Sequence, residues 1–350
     1  MTKKRIQIPG GVLIAILLLF LSVLWYRNLP TDDTDTEPIS ITGFQLNTVI
    51  TITIYDSQDE SLLSQALELC ADYERIFSRT DENSELYQLN HRTLPQTEEG
   101  GYAVSDDLAE LISIGLEYSR LSEGAFDITV EPVSSLWDFT SGEDIIPSEE
   151  EISAALSHVG YEKVQVNGNT VTFADDHTTL DLGAIAKGYI ADRLKEYLES
   201  QGVASAIINL GGNVLCIGQR SADTPFSVGI QQPFADRQET IAAMEITDQS
   251  VVSSGIYERY FEKNGQIYHH ILNPKTGYPY DNDLVAVTII SDASVDGDAL
   301  STTCFALGLE KGLELLNSTP DVHGIFITED YQLHYTDGFE EEIVTKESGS

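Results

Sequence analysis

Basic residues are scarce in this 350-residue chain: 19 lysines and arginines stand against 57 aspartates and glutamates, a formal charge of −38. Nucleic acid is thereby excluded as an expected partner, because phosphate backbones are held by clustered cations. Any anionic ligand needs a cation supplied locally. Cysteine is scarcer still. Cys70, Cys216 and Cys304 are widely spaced and form no C-x-x-C pair, which removes the usual zinc and dithiol signatures and leaves three small buried hydrophobes as the reading. One segment points to an address. Ile6 to Tyr26 carries no charge, comes just after Lys3, Lys4 and Arg5, and has the ~20 residues a membrane-crossing helix needs. The positive-inside rule places the rest of the chain outside the cytoplasm. With no small-x-small cleavage site and no cysteine to take a lipid, the expectation is a retained signal anchor over residues 1–30. A solvated linker is expected over 31–40, then one domain over 41–345, giving a single-pass protein of the cell membrane with its domain extracytoplasmic.

Periodicity supplies the elements. "TVITITIY" (48–55) alternates as a strand does. Leu62, Leu63, Ala66, Leu69, Cys70, Tyr73 and Phe77 make an apolar stripe on a helix from Ser61 to Phe77. A second helix runs from Ser105 to Leu121 and closes near Gly124, and Ser148 with Glu151 forms a capping box for a third. "KVQVNGNTVTF" is a hairpin about an Asn-Gly turn. "VASAIINLGGNVLCIG" reads as one apolar strand interrupted by Gly211 and Gly212. Strands and helices mix without a regular βαβ period, so the fold class is α+β.

Three stretches carry chemistry. In "LDLGAIAKGYIADRL" (180–194), small residues and Lys187 precede a helix whose free N–H groups favour an anion, although such residues also serve plain tight packing. In "DGDALSTTCFALG" (296–308), Leu300, Cys304 and Leu307 face the core of a helix, while Asp298 and Thr302 project from one side, four residues apart. A carboxylate with a hydroxyl is hard-cation chemistry and favours Mg²⁺ over zinc; the bland alternative is that Asp296 or Asp298 caps the helix. In "QIYHHILNPKTGYP" (266–279), two histidines enter a Pro- and Gly-containing turn, and strand alternation allows only one of them to face a cleft.

Taken in order with "FSRTDENSELYQLN" (77–90), "EGAFDITVEPVSSLW" (123–137), "NLGGN" (209–213) and "SSGIYERYF" (253–261), these stretches resemble the ApbE family of flavin transferases, which move FMN from FAD onto a protein. The resemblance implies a single domain of mixed strands and helices. By it, Asp298 and Thr302 hold Mg²⁺ with the Ala184 carbonyl as a further ligand. Asp181, Lys187, Ala125, Phe126 and Asp127 fall at positions that contact FAD, as do Leu46 and Thr80, and His270 is the general base while His269 is structural. Leu46-Asn47-Thr48 replaces a common Met-Gly-Thr, Thr80 stands where an aromatic is frequent, and Asn273 replaces a usual Asp. The implied partners are FAD, a redox protein with a Thr or Ser acceptor, and the membrane through the N-terminal helix. Water in place of the acceptor hydroxyl would make an FAD pyrophosphatase; a non-catalytic flavin carrier is the third reading.

Overall fold

Every second residue of Thr48–Ile54 from Ile50 onward is an isoleucine, and Ile50, Ile52 and Ile54 are all fully buried. That alternation makes the segment a strand of the central sheet of the computed structural model, which describes residues 37–98, 100–236 and 239–339, and the backbone of 343–345. The expected anchor and most of the expected linker lie outside the described residues. Among the described residues no helix is long and apolar enough to cross a membrane. The first strand begins at Ile39, two residues inside the span read as linker.

The sheet has eight strands, all antiparallel to their neighbours: β1 (Ile39–Gln45), β2 (Thr48–Ile54), β3 (Ser205–Leu210), β4 (Asn213–Gly218), β5 (Ser250–Gly255), β6 (Leu284–Ser291), β7 (His323–Thr328) and β8 (Leu333–Tyr335). Their spatial order is their chain order, so the sheet is a meander interrupted by long excursions. The helices that position the site are α1 (Glu60–Phe77), α2 (Asp106–Leu121), α3 (Ala186–Ser200), α4 (Ser294–Leu307) and α5 (Leu309–Asn317). All eight residues of β6 are buried, and beyond the register irregularity at Leu284 the apolar ones divide by parity. Val285, Val287 and Ile289 pack with Leu300, Cys304 and Phe305 of α4, whereas Ala286 and Ile290 pack against the strands Phe226–Gln231 and Thr240–Ile246. A sheet covered on both faces needs strands apolar on both faces, which explains the continuous run "LVAVTII". The mixed, wholly antiparallel architecture is α+β.

Two sequence readings are corrected. Gly211 and Gly212 do not interrupt one strand; they are the two-residue turn of the β3–β4 hairpin, with φ of 69° and 101° and Leu210 paired to Asn213. A Cβ on Gly211 would meet the Thr48 hydroxyl at 2.2 Å, so glycine is required twice over. Leu307 is only half-buried, whereas Cys304 and Phe305 in the same last turn of α4 are fully buried. The Ser105 cap, the capping box at Ser148 and Glu151, and the 164–173 hairpin form where expected.

Candidate active site at two crossing helix starts

An α-helix leaves its first N–H groups without internal partners. At α3 and α4 each helix supplies the other's missing acceptor. Asp298 of α4 accepts the N–H of Gly188, in the first turn of α3, at 2.5 Å. Asp192 of α3 accepts the N–H groups of Ser294 and Val295, the first two residues of α4, at 2.8 and 2.9 Å. Neither Asp296 nor Asp298 caps its own helix start: Asp296 accepts the Tyr118 hydroxyl at 2.7 Å, and Asp298 serves the neighbouring helix. Asn213, immediately after the Gly-Gly turn, donates to Asp298 at 3.2 Å and accepts from the Ser294 hydroxyl at 2.9 Å. Replacing Asp192 with alanine leaves two N–H groups without their acceptor, at about 1–3 kcal/mol each. Burial pushes the Asp192 carboxyl up to about 6, so losing its unfavourable charge offsets part of that loss. The expected net destabilisation is about 2 kcal/mol in urea unfolding at pH 7.5; a change below about 0.5 kcal/mol would mean that water caps α4 equally well.

Asp298 is buried, and burial raises its pKa above the usual carboxylate value against the opposing charge of Lys187, the Gly188 N–H and the Asn213 amide. One turn along α4, Thr302 places its hydroxyl 3.1 Å from Ser254 at the end of β5, and Ser254 lies 2.8 Å from Ser301. The available donors at this crossing are all oxygens, the set a hard cation prefers. Among the described residues no group of three or more His, Cys, Asp or Glu side chains is arranged to hold a metal. A site with one carboxylate and a hydroxyl fits Mg²⁺ that shares its shell with water and substrate phosphates, and does not fit zinc. Asp298, Thr302 and the Ala184 carbonyl are therefore suitable ligands in kind.

The two histidines separate as strand alternation requires. His269 ends the strand Gln266–His269 and is buried, its Nε2 3.0 Å from the Tyr280 carbonyl and its Nδ1 accepting the Ile271 N–H. Both ring nitrogens are thus used inside the fold. His270 is half-buried, and its Nδ1 lies 3.3 Å from the Arg259 carbonyl. A carbonyl can only accept, so Nδ1 carries the proton and Nε2 keeps a free lone pair. Burial, then the positive charge of Arg259, His269 and Lys187, pushes its pKa down to about 3. The Lys187 ammonium is thus within electrostatic reach of both His270 and Asp298.

The remaining predicted positions divide into three places. Asp181 is committed to the fold on both oxygens: Oδ1 accepts the Gly183 N–H at 2.9 Å, and Oδ2 accepts from Ser134 at 3.0 Å and Arg79 at 3.2 Å. Arg79 also reaches Glu131, tying the end of α1 to the loop that opens at Asp181. Ala125 is joined to the loop after His270 through its carbonyl, which accepts the Tyr280 hydroxyl at 2.8 Å. Phe126 is buried with its backbone N–H and carbonyl both bonded to the Ser122 hydroxyl, and the Asp127 carboxylate is occupied by Thr129 and the Tyr161 N–H, so both residues are committed to the fold here. Thr80 lines a separate cleft of about 340 Å³ with Asn47, Glu74 and Arg75, and the Leu46 N–H donates to Glu74 there. Sequence reasoning misses Asp192, Asn213, Ser254 and Arg79. Scarcity is a usable signal for Arg79 in so acidic a chain; the others become visible only once the helices cross.

The ApbE family model matches residues 46–326. A FAD:protein FMN transferase of Klebsiella pneumoniae is 38% identical over 298 residues, spanning 84% of this chain and 90% of the relative. Its counterpart in Treponema pallidum is 31% identical over 317 residues, spanning 85% and 86%. The flavin transferase ApbE from Vibrio cholerae superposes with a TM-score of 0.78 at 26% identity over 87% of this chain and 99% of that one. The ApbE protein of Thermotoga maritima does so with a TM-score of 0.78 at 30% identity over 89% and 100%.

Proposed function

Because the chain belongs to the ApbE family, we propose that it is a Mg²⁺-dependent FAD:protein FMN transferase, which moves FMN from FAD onto a Thr or Ser hydroxyl of a target redox protein and releases AMP. The observation that carries this reading is the meeting, at one helix crossing, of a buried carboxylate and the start of α3 with Lys187, which also lies within electrostatic reach of a histidine with a free Nε2.

The FAD pyrophosphate is a dianion entering an acidic protein. Lys187 supplies its positive charge, and the first turn of α3 supplies oriented dipoles. Mg²⁺ held by Asp298, Thr302 and the Ala184 carbonyl would neutralise charge on the phosphate oxygens. His270 takes the proton of the acceptor hydroxyl at Nε2 while the Arg259 carbonyl fixes the ring through Nδ1. The acceptor oxygen forms a bond to the FMN phosphorus, the bond from that phosphorus to the bridging oxygen breaks, and AMP departs with that oxygen.

Incubating the full-length chain with FAD, Mg²⁺ and an acceptor protein tests this by mass spectrometry of the acceptor. An FMN adduct on Thr or Ser is expected; free FMN alone would replace transfer by hydrolysis, and intact FAD would leave only a binding module. His270→Ala is expected to slow transfer by about 10²-fold, the low end for a lost general base. Since the base form persists down to the depressed pKa of about 3, the rate should hold as the pH falls from neutrality through the ordinary histidine range and drop only well below it. An acidic limb centred near the ordinary histidine pKa of about 6.5 would show that His270 is not the base. The localisation rests on sequence alone: Ile6 to Tyr26 anchors the chain with the domain extracytoplasmic, so carbonate extraction should leave it in the membrane fraction.

A further inference from the structure

Two of the chain's seven histidines meet at a place the flavin chemistry does not use. His158 follows the helix Glu149–Leu156, and His177 lies in the turn after the strand Thr170–Phe173. Their ring centres are 4.8 Å apart and their planes are tilted by 57°. A cation held by two imidazole nitrogens at about 2.0–2.1 Å sets the ring centres roughly 4.5–5.2 Å apart, for bond angles of about 90–110°. The observed spacing falls inside that window. The tilt also separates this pair from the face-to-face stack that His91 makes on Tyr87, where the planes differ by only 18°.

One carboxylate holds both histidines in a common frame. Asp175 Oδ2 lies 2.9 Å from His158 Nδ1, and Asp175 Oδ1 accepts the backbone N–H of His177 at 3.0 Å. The hydrogen bonds from His158 and from the His177 N–H, helped by Lys163, hold the Asp175 pKa down at about 2, so at neutral pH this carboxylate can only accept. His158 Nδ1 therefore carries the proton, and Nε2 keeps its lone pair. A carboxylate behind an imidazole is the outer partner that metal-bound histidines commonly have. The His177 ring is exposed and, among the described residues, makes no hydrogen bond. A second tie between the two segments comes from the Thr178 hydroxyl, which donates to the His158 carbonyl at 2.7 Å. Among the described residues no group of three His, Cys, Asp or Glu side chains is arranged to hold a metal, so two imidazoles are the protein's whole share of the shell and water supplies the rest. Imidazole nitrogen suits nickel, copper and zinc, whereas Mg²⁺ prefers oxygen.

We propose that His158 and His177 bind a first-row transition dication, Ni²⁺, Cu²⁺ or Zn²⁺, with Asp175 orienting His158 from behind, at a site separate from the α3–α4 crossing. The bound ion ties the end of the helix Glu149–Leu156 to the loop that runs on through Thr179, whose hydroxyl donates to Glu131, to Asp181. Nothing in this depends on the transferase reading. The test titrates the full-length chain with NiCl₂ by calorimetry in excess Mg²⁺, which occupies the oxygen-donor positions of so acidic a protein. One Ni²⁺ per chain is expected. Asp175→Ala should weaken binding by about 10–100-fold, the range for a lost outer partner, and His158→Gln and His177→Gln should each weaken it at least about tenfold. Ni²⁺ should also raise the Tm of the unaltered chain and leave that of His177→Gln unchanged; because the His177 ring is exposed, that variant is expected to keep its fold, which circular dichroism checks. With Cu²⁺ as the probe, electron paramagnetic resonance should show coupling to two imidazole nitrogens. No Ni²⁺ binding in excess Mg²⁺, equal binding by the unaltered chain and His177→Gln, or coupling of Cu²⁺ to a single imidazole nitrogen overturns the proposal.

Discussion

Replacing Asp298 with asparagine is expected to cut FMN transfer by at least about 10³-fold while the fold persists. The side chain keeps its volume and one oxygen for the Gly188 N–H or the Asn213 amide, which now sit 2.5 and 3.2 Å from its two carboxylate oxygens. One of the two contacts must become donor against donor, a cost of about 1–3 kcal/mol. Burial already penalises the charged form here, so removing the charge offsets part of it. What is not recovered is the only carboxylate in the proposed cation shell, and about 4 kcal/mol of lost transition-state stabilisation corresponds to about 10³-fold. Two measurements together decide the matter: transfer rate at saturating Mg²⁺, and the rise in Tm on adding Mg²⁺ with FAD, which wild type should show and the variant should lose. Retention of a tenth of the rate would remove Asp298 from the chemistry.

Gly188→Ala should destabilise the protein by about 3 kcal/mol or more, against the direction that helix propensity alone predicts. Alanine is favoured over glycine within a helix by about 1 kcal/mol. At this position, however, a Cβ would lie 2.3 Å from the Ser294 carbonyl oxygen, 2.6 Å from its carbon and 2.7 Å from the Val295 Cα. All three atoms are backbone, so no rotamer change relieves the contact and the helices must separate by about 1 Å, beyond ordinary side-chain overpacking. Separation also draws Asp298 from the α3 start, so activity should fall with stability. Urea unfolding gives the sign directly; an unchanged or stabilised variant would mean that α3 and α4 do not meet at Gly188.

Gly188 also shows how far the sequence can be read. A small residue at the start of a helix is legible as a close approach, but to a ligand or to a second helix equally well. The structure uses the glycine for the second. Asp127 makes the same point: its place in "AFDIT" marks a site segment, yet its carboxylate closes a local turn on Thr129 and holds Tyr161. His269 and His270 are separable in advance, because a strand sends adjacent side chains to opposite faces and only one can be free. The Gly-Gly pair reads as an interruption because an apolar run looks the same whether it continues or reverses; the positive φ angles that decide it are not a property of hydrophobic pattern.

Local patterns, then, suffice for whatever depends on neighbours in the chain: the helices with their stripes and caps, the 164–173 hairpin, the side of α4 shared by Asp298 and Thr302, and the ordered motifs that mark the family. Tertiary structure alone decides which orphan N–H groups find which carboxylates. Asp192 reaches Ser294 and Asp298 reaches Gly188 across about a hundred residues of sequence. Such pairings are set by helices packing over a sheet whose strands come from distant parts of the chain, and a spacing rule has no means of expressing a contact between two segments that meet only after both have folded.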